Sequence, residues 1–98
     1  MASFAERLRE ARRLALLQLL DATGATGASA QLLYDALPAE GLASSRDQVH
    51  ADLAWLADMG LADFERDAGP HVARITARGI DVARDRAQVP GVARPQPS

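Results

Sequence analysis

A mainly α-helical domain carrying one small β-hairpin is what these 98 residues predict. Three observations lead there. Apolar residues recur at helical spacing in four separate stretches, and Ser or Thr residues suited to capping precede several of them. Between the third and fourth stretches, LADFER and HVARIT flank a turn, DAGP, at residues 67–70.

Ser3 can cap the first helix, with Glu6 three residues on to complete a capping box. Phe4, Leu8, Ala11 and Ala15 share one face of it, and the LALLQLL run at 14–20 is apolar nearly all round, which predicts burial from several sides. That run is far too short to span a bilayer. Gly24 and Gly27 end the helix. Ser29 caps a short second helix with Leu32, Leu33, Ala36 and Leu37 on its apolar face, and Pro38 and Gly41 stop it. The third helix is expected from about Ser45 to Met59, with Gly60 in the C-terminal glycine position. A two-stranded hairpin follows, and Thr76 caps a last helix over residues 77–87, with Ile80 and Ala83 inward. VPGVARPQPS holds three of the five prolines and reads as an extended, flexible tail. The domain boundaries drawn are therefore 1–88 and 89–98.

Helix, helix, helix, hairpin, helix is the winged helix-turn-helix arrangement. The connection at residues 38–44 exceeds the three or four residues of a tight helix-turn-helix, and Leu42 is expected to anchor it inward.

The third helix carries most of the functional information. At about 100° per residue, Val49, Leu53, Leu56 and Gly60 fall on one face, expected to pack inward. Asp47, Ala51, Ala54 and Asp58 lie opposite. Trp55 sits about 120° from the core direction, where packing against another part of the chain or against a partner would cover its indole. Asp47, Asp52 and Asp58 outweigh the helix's single permanent cation, Arg46. An acidic outer row is repelled by phosphate, so base or backbone contacts fall to Arg46, Gln48, Ser44 and Ser45.

Charge elsewhere is balanced. The net charge is −2, and all 11 basic residues are arginine. Arginines load the first helix and flank the hairpin, but carboxylates are interleaved with them, so ordinary ion pairing accounts for most. Any nucleic-acid contact must come from a local patch. Without cysteine there is no disulfide and no thiolate metal site. His50 and His71 stand apart without metal-ligand spacing, and no nucleotide-cradling glycine loop or nucleophile elbow appears. Enzymatic activity, a cofactor and a metal centre are not expected.

SRDQVHADLAWLADMGL followed by ITARG resembles the winged-helix regulators of the ArsR and MarR type, over residues 29–80. In those families a Val/Leu-patterned recognition helix ends in Gly-Leu before the wing. Over nearly the whole chain, SFAERLREARRLALLQLL, SRDQVHADLAWLADMGL and ITARGIDVARDRAQVPGVARP resemble a small winged-helix protein of Mu-like phages and prophages. Its genes tend to lie among packaging and head-morphogenesis genes. The resemblance implies a phage or prophage origin and residence in the cytoplasm of a bacterial host.

Two functions are expected from these residues. One is a small transcriptional regulator binding double-stranded DNA through Ser44, Ser45, Arg46, Gln48 and the hairpin arginine Arg66. The other is a non-catalytic interaction module in phage head assembly or DNA packaging, meeting a phage protein through Asp47, Trp55 and Asp58. A homodimer through the first and last helices is expected with either, and no membrane association.

Overall fold

In the computed structural model, which describes residues 1–65 and 71–96, the chain forms a mainly helical fold with one small antiparallel sheet. The longest helix, α1 (Phe4–Thr23), starts where Ser3 Oγ accepts from the Glu6 amide at 3.1 Å. Leu14, Ala15, Leu16, Leu17 and Leu20 are all buried. These residues are buried where α1 packs against α4, β3 and α3, while Gln18 stays exposed. The N-terminal turns project beyond this packing, and Phe4 and Leu8 are exposed.

Gly24 ends α1, its amide donating to the Leu20 carbonyl, and a 3-10 turn covers Gly24–Thr26. A strand the sequence reading did not contain comes next: β1 (Ala28–Ser29) runs directly into α2 (Ala30–Ala36). Ser29 serves both elements, since its Oγ accepts from the Leu32 amide at 3.0 Å. The connection to the third helix is partly ordered into a 3-10 turn, Leu37–Glu40, closed by Gly41 in the left-handed region. Leu42 follows, packed against the core as expected.

The third helix, α3 (Arg46–Asp58), opens on a reciprocal capping box. The Ser45 side chain accepts from the Gln48 amide, and the Gln48 side chain accepts from the Ser45 amide at 2.9 Å. Val49, Leu53 and Leu56 are buried, which fixes the helical phase read from the sequence. Gly60 departs from that face. It is exposed at φ +74°, and its amide donates to the Ala57 carbonyl. Gly60 therefore ends the helix rather than extending its buried stripe.

β2 (Ala62–Phe64) and β3 (Val72–Ile75) pair antiparallel, with Ala62 opposite Ile75 and Phe64 opposite Ala73. The expected two-stranded hairpin is thus part of a three-stranded sheet of order β1-β3-β2. The two residues before α2 were too short a run to register as a strand, yet β3 offers them a free edge. The DAGP turn and Arg66 lie outside the described residues.

Thr76 caps α4 (Ala77–Ala83), accepting from the Gly79 amide. Gly79 is required at this point by space: a Cβ here would overlap the Leu61 carbonyl. The helix is one turn shorter than expected. Asp85 turns out at φ +60°, and the Asp81 carbonyl collects the amides of both Arg86 and Ala87.

The segment from residue 89 corrects the expected tail. Val89 and Val92 are buried, and the Ala93 amide donates to the Glu10 carbonyl of α1 at 3.2 Å. Arg94 makes a two-pronged pair with Asp85. Proline content favours an extended backbone, but the two valines join the core cluster, and Gly91 between them lies against Trp55. Packing therefore continues past residue 88. Among the described residues, no helix is long and apolar enough to cross a membrane.

Candidate functional site

The outer row of α3 is built as its helical phase requires. Asp47, Ala51 and Asp58 are exposed and Ala54 is half-buried. This row presents two carboxylates and little else to an approaching surface.

The residues expected to touch DNA have internal work. Ser45 and Gln48 are joined in the capping box, which occupies the Gln48 carbonyl oxygen and leaves its amide nitrogen free of that bond. Ser44 Oγ donates to the Leu42 carbonyl at 2.9 Å and so shapes the turn into α3. Arg46 leans toward α2. Its guanidinium carbon lies 4.7 Å from the centre of the Tyr34 ring, and Nη1 donates to Gln31 Oε1. No carboxylate lies within ion-pair reach of Arg46 among the described residues, unlike Arg12, Arg13, Arg84, Arg86 and Arg94. Arg46 therefore keeps its charge available, as do Arg7, Arg9, Arg74 and Arg78 among the described residues, whereas those five arginines are paired.

On the α1 side of α3 lies a cluster that sequence reasoning did not foresee. Asp52 is buried and accepts from Arg12 Nε and, at 3.1 Å, from Arg13 Nε. Arg13 extends further. Its guanidinium carbon sits 3.9 Å from the Trp55 ring centre, and Nη1 donates to the Gly91 carbonyl at 3.1 Å. Trp55 is thus covered by α1 and the C-terminal segment, which meets the expectation that another part of the chain packs on it. A carboxylate one helical turn from Gln48 and one residue before Leu53 carried no sequence signal of burial. Its two partners lie about 40 residues upstream.

On the opposite flank of α3, the fold unites residues that stand apart in sequence. His50 and His71 come edge to face with ring centres 5.3 Å apart, and the Phe64 ring lies 5.8 Å and 6.1 Å from them. Beside this aromatic group is a concavity of about 250 Å³ lined by Ser29, Gln31, Tyr34, Arg46, His50 and His71 among others. Three elements supply its wall: the start of α2, the first half of α3, and the residue leading into β3. Pairing of β1 with β3 causes this convergence, because Ser29 is the partner of Val72 and the Ala30 amide donates to the His71 carbonyl at 2.9 Å. The missing strand of the sequence reading is therefore what assembles the site. His50 lies one helical turn after Arg46, which was legible; the approach of His71 was not. Among the described residues, no group of three or more His, Cys, Asp or Glu is placed to hold a metal ion.

No family profile and no solved structure matches the chain. A relative does: gp26 of Escherichia phage Mu, an uncharacterized protein, is 43% identical over 91 residues, covering 92% of this chain and 93% of the relative. At that identity and over that length, the chain belongs to the family of the phage Mu protein gp26.

Proposed function

We propose that this protein is a winged helix-turn-helix DNA-binding protein that holds duplex DNA mainly by its phosphate backbone, acting as a small phage regulator. The winged-helix reading is supported by the order of elements, with α2 and α3 packed together and a hairpin directly after α3. β1 fits it as well, since it ties the start of α2 to that hairpin.

A single observation carries the DNA reading: Arg46, free of any described carboxylate, converges with His50 and His71 around one surface concavity. Arginine with nearby imidazoles and hydroxyls is a donor set suited to phosphate oxygens. Base readout from the outer row of α3 is not favoured, because Asp47 and Asp58 meet the phosphates first. The protein therefore grips the backbone beside the helix rather than reading bases with its outermost residues.

The test is a fluorescence anisotropy titration with phage-genome fragments at about 50 mM and 200 mM salt. Binding should weaken as salt rises, each neutralised phosphate steepening the logarithmic slope by about 0.9. Absence of binding at the lower salt sinks the reading.

A second reading is favoured by the exposed carboxylates on α3. Asp47 and Asp58 form an acidic strip suited to a basic protein partner in head assembly or packaging, with Trp55 buttressing the helix behind it. Replacement of both aspartates would weaken such a complex.

A further inference from the structure

The concavity between α2, α3 and β3 is too small for a drug-sized ligand or a large cofactor, which usually need about 300–1,000 Å³, yet large enough for one phosphoryl group. Its polar groups come from three elements, so their grouping is a product of the fold and not of one helix face. Arg46 forms one wall, held over Tyr34 with its Nη1 directed at Gln31. His50 and His71 form the other, and Phe64 packs edge-on against the His50 ring and at a tilt to that of His71. With Nδ1 protonated, His71 donates to the Glu65 carbonyl at 3.3 Å, and its second ring nitrogen donates only when the ring is doubly protonated. His50 makes no side-chain hydrogen bond among the described residues. The remaining guanidinium N–H groups of Arg46 and an N–H of His50 thus leave donor capacity beside the space. Among the described residues no carboxylate lines the space, and Asp35, beside Tyr34 in sequence, is tied to the Gln31 amide at 2.9 Å.

We infer that the Arg46–His50–His71 concavity is a binding site for a single phosphate group. Ser29 and Tyr34 add hydroxyls to its rim, and the guanidinium supplies the charge. The phosphate is either a backbone phosphate of duplex DNA or that of a small phosphate ester. The first source rests on the DNA-binding reading above; the second does not.

Nuclear magnetic resonance on the isotope-labelled intact chain distinguishes these cases. Inorganic phosphate and a short blunt DNA duplex are titrated separately, following the imidazole signals of His50 and His71 and the Arg46 side chain. Saturable shifts of all three with phosphate are expected. Arg46→Gln should weaken phosphate binding about tenfold, the loss of one charge-assisted hydrogen bond. The double variant His50→Asn/His71→Asn should weaken it while retaining the wild-type helical circular dichroism. If the duplex shifts the same signals and competes with phosphate, the source is DNA. If phosphate binds there and the duplex binds nowhere, the site stands and the DNA reading falls. If phosphate shifts these three residues and the duplex binds without shifting them, the source is a small phosphate ester; if phosphate shifts none of them, the site is overturned.

Discussion

Asp52 has almost no contact with solvent, and two half-buried arginines from α1 converge on it. Desolvating such a carboxylate is unfavourable, and the two guanidinium donors offset that penalty where they are. Removing the carboxylate leaves two cations facing each other beside the core. We expect Asp52→Ala to lose roughly 3–5 kcal/mol in chemical denaturation, the range for breaking a buried pair. A loss below about 1 kcal/mol would show that the cluster behaves like a surface ion pair. Gly91 is tied to the same cluster. At φ +101° it adopts a backbone that L side chains rarely take, and a Cβ would come 2.6 Å from Trp55 Cζ2. Gly91→Ala should therefore lift the C-terminal segment from Trp55, seen as altered tryptophan fluorescence and a lower Tm.

Between elements, two contacts give opposite kinds of test. The outer row of α3 opposes phosphate, so Asp47→Asn with Asp58→Asn removes two negative charges at nearly constant size. In the DNA reading, non-specific affinity should rise and its salt dependence steepen. In the protein-partner reading, the same double variant weakens the complex, so a pull-down and a DNA titration move in opposite directions. The second contact staples α1 to α4. Arg84 donates from Nε and Nη2 to the two oxygens of Asp21, both at 2.9 Å. Those hydrogen bonds hold the Asp21 carboxyl below its ordinary value of 3.8. A carboxyl depressed in the folded state stabilises the fold above its unfolded pKa, and that stabilisation disappears as pH falls through the folded pKa. The Tm difference between wild type and Asp21→Asn should thus be constant at neutral pH and close as pH drops below 3.8. The difference should be small throughout, because Arg84 is more than half exposed and the pair is screened.

Considered whole, the molecule leaves apolar surface at one end of its longest helix. Phe4 is 70% exposed and Leu8 39%, while Ala15 on the same stripe is buried. One domain does not cover that stripe, and a second copy meeting it about a twofold axis would. We propose a dimer on the first and last helices, which pack alongside each other within one chain. Sedimentation should show a dimer at about 100 μM that Phe4→Ser with Leu8→Ser converts to monomer; wild-type monomer at that concentration would refute it. The C-terminal segment belongs at this scale too. By joining Glu10, Arg13, Trp55 and Asp85, residues 91–94 tie α1, α3 and the turn after α4 into one unit.

Local chemistry determined much of this protein from sequence alone. Ser3, Ser29 and Thr76 cap the helices they precede, and the Val49–Leu53–Leu56 stripe faces the core, because capping and helical periodicity act over three or four residues. The antiparallel pairing of LADF with VARI was legible for the same reason. What spans the chain was not. β1 exists because β3 has an edge to pair with, and two residues carry no strand signal of their own. The valines of a proline-rich end are buried because they join a core cluster that the other elements assemble. Asp52 and the His50–His71 pair acquire their roles from partners about 40 and 20 residues away. Such groupings depend on how separate elements are brought together, and only the packed tertiary structure decides them.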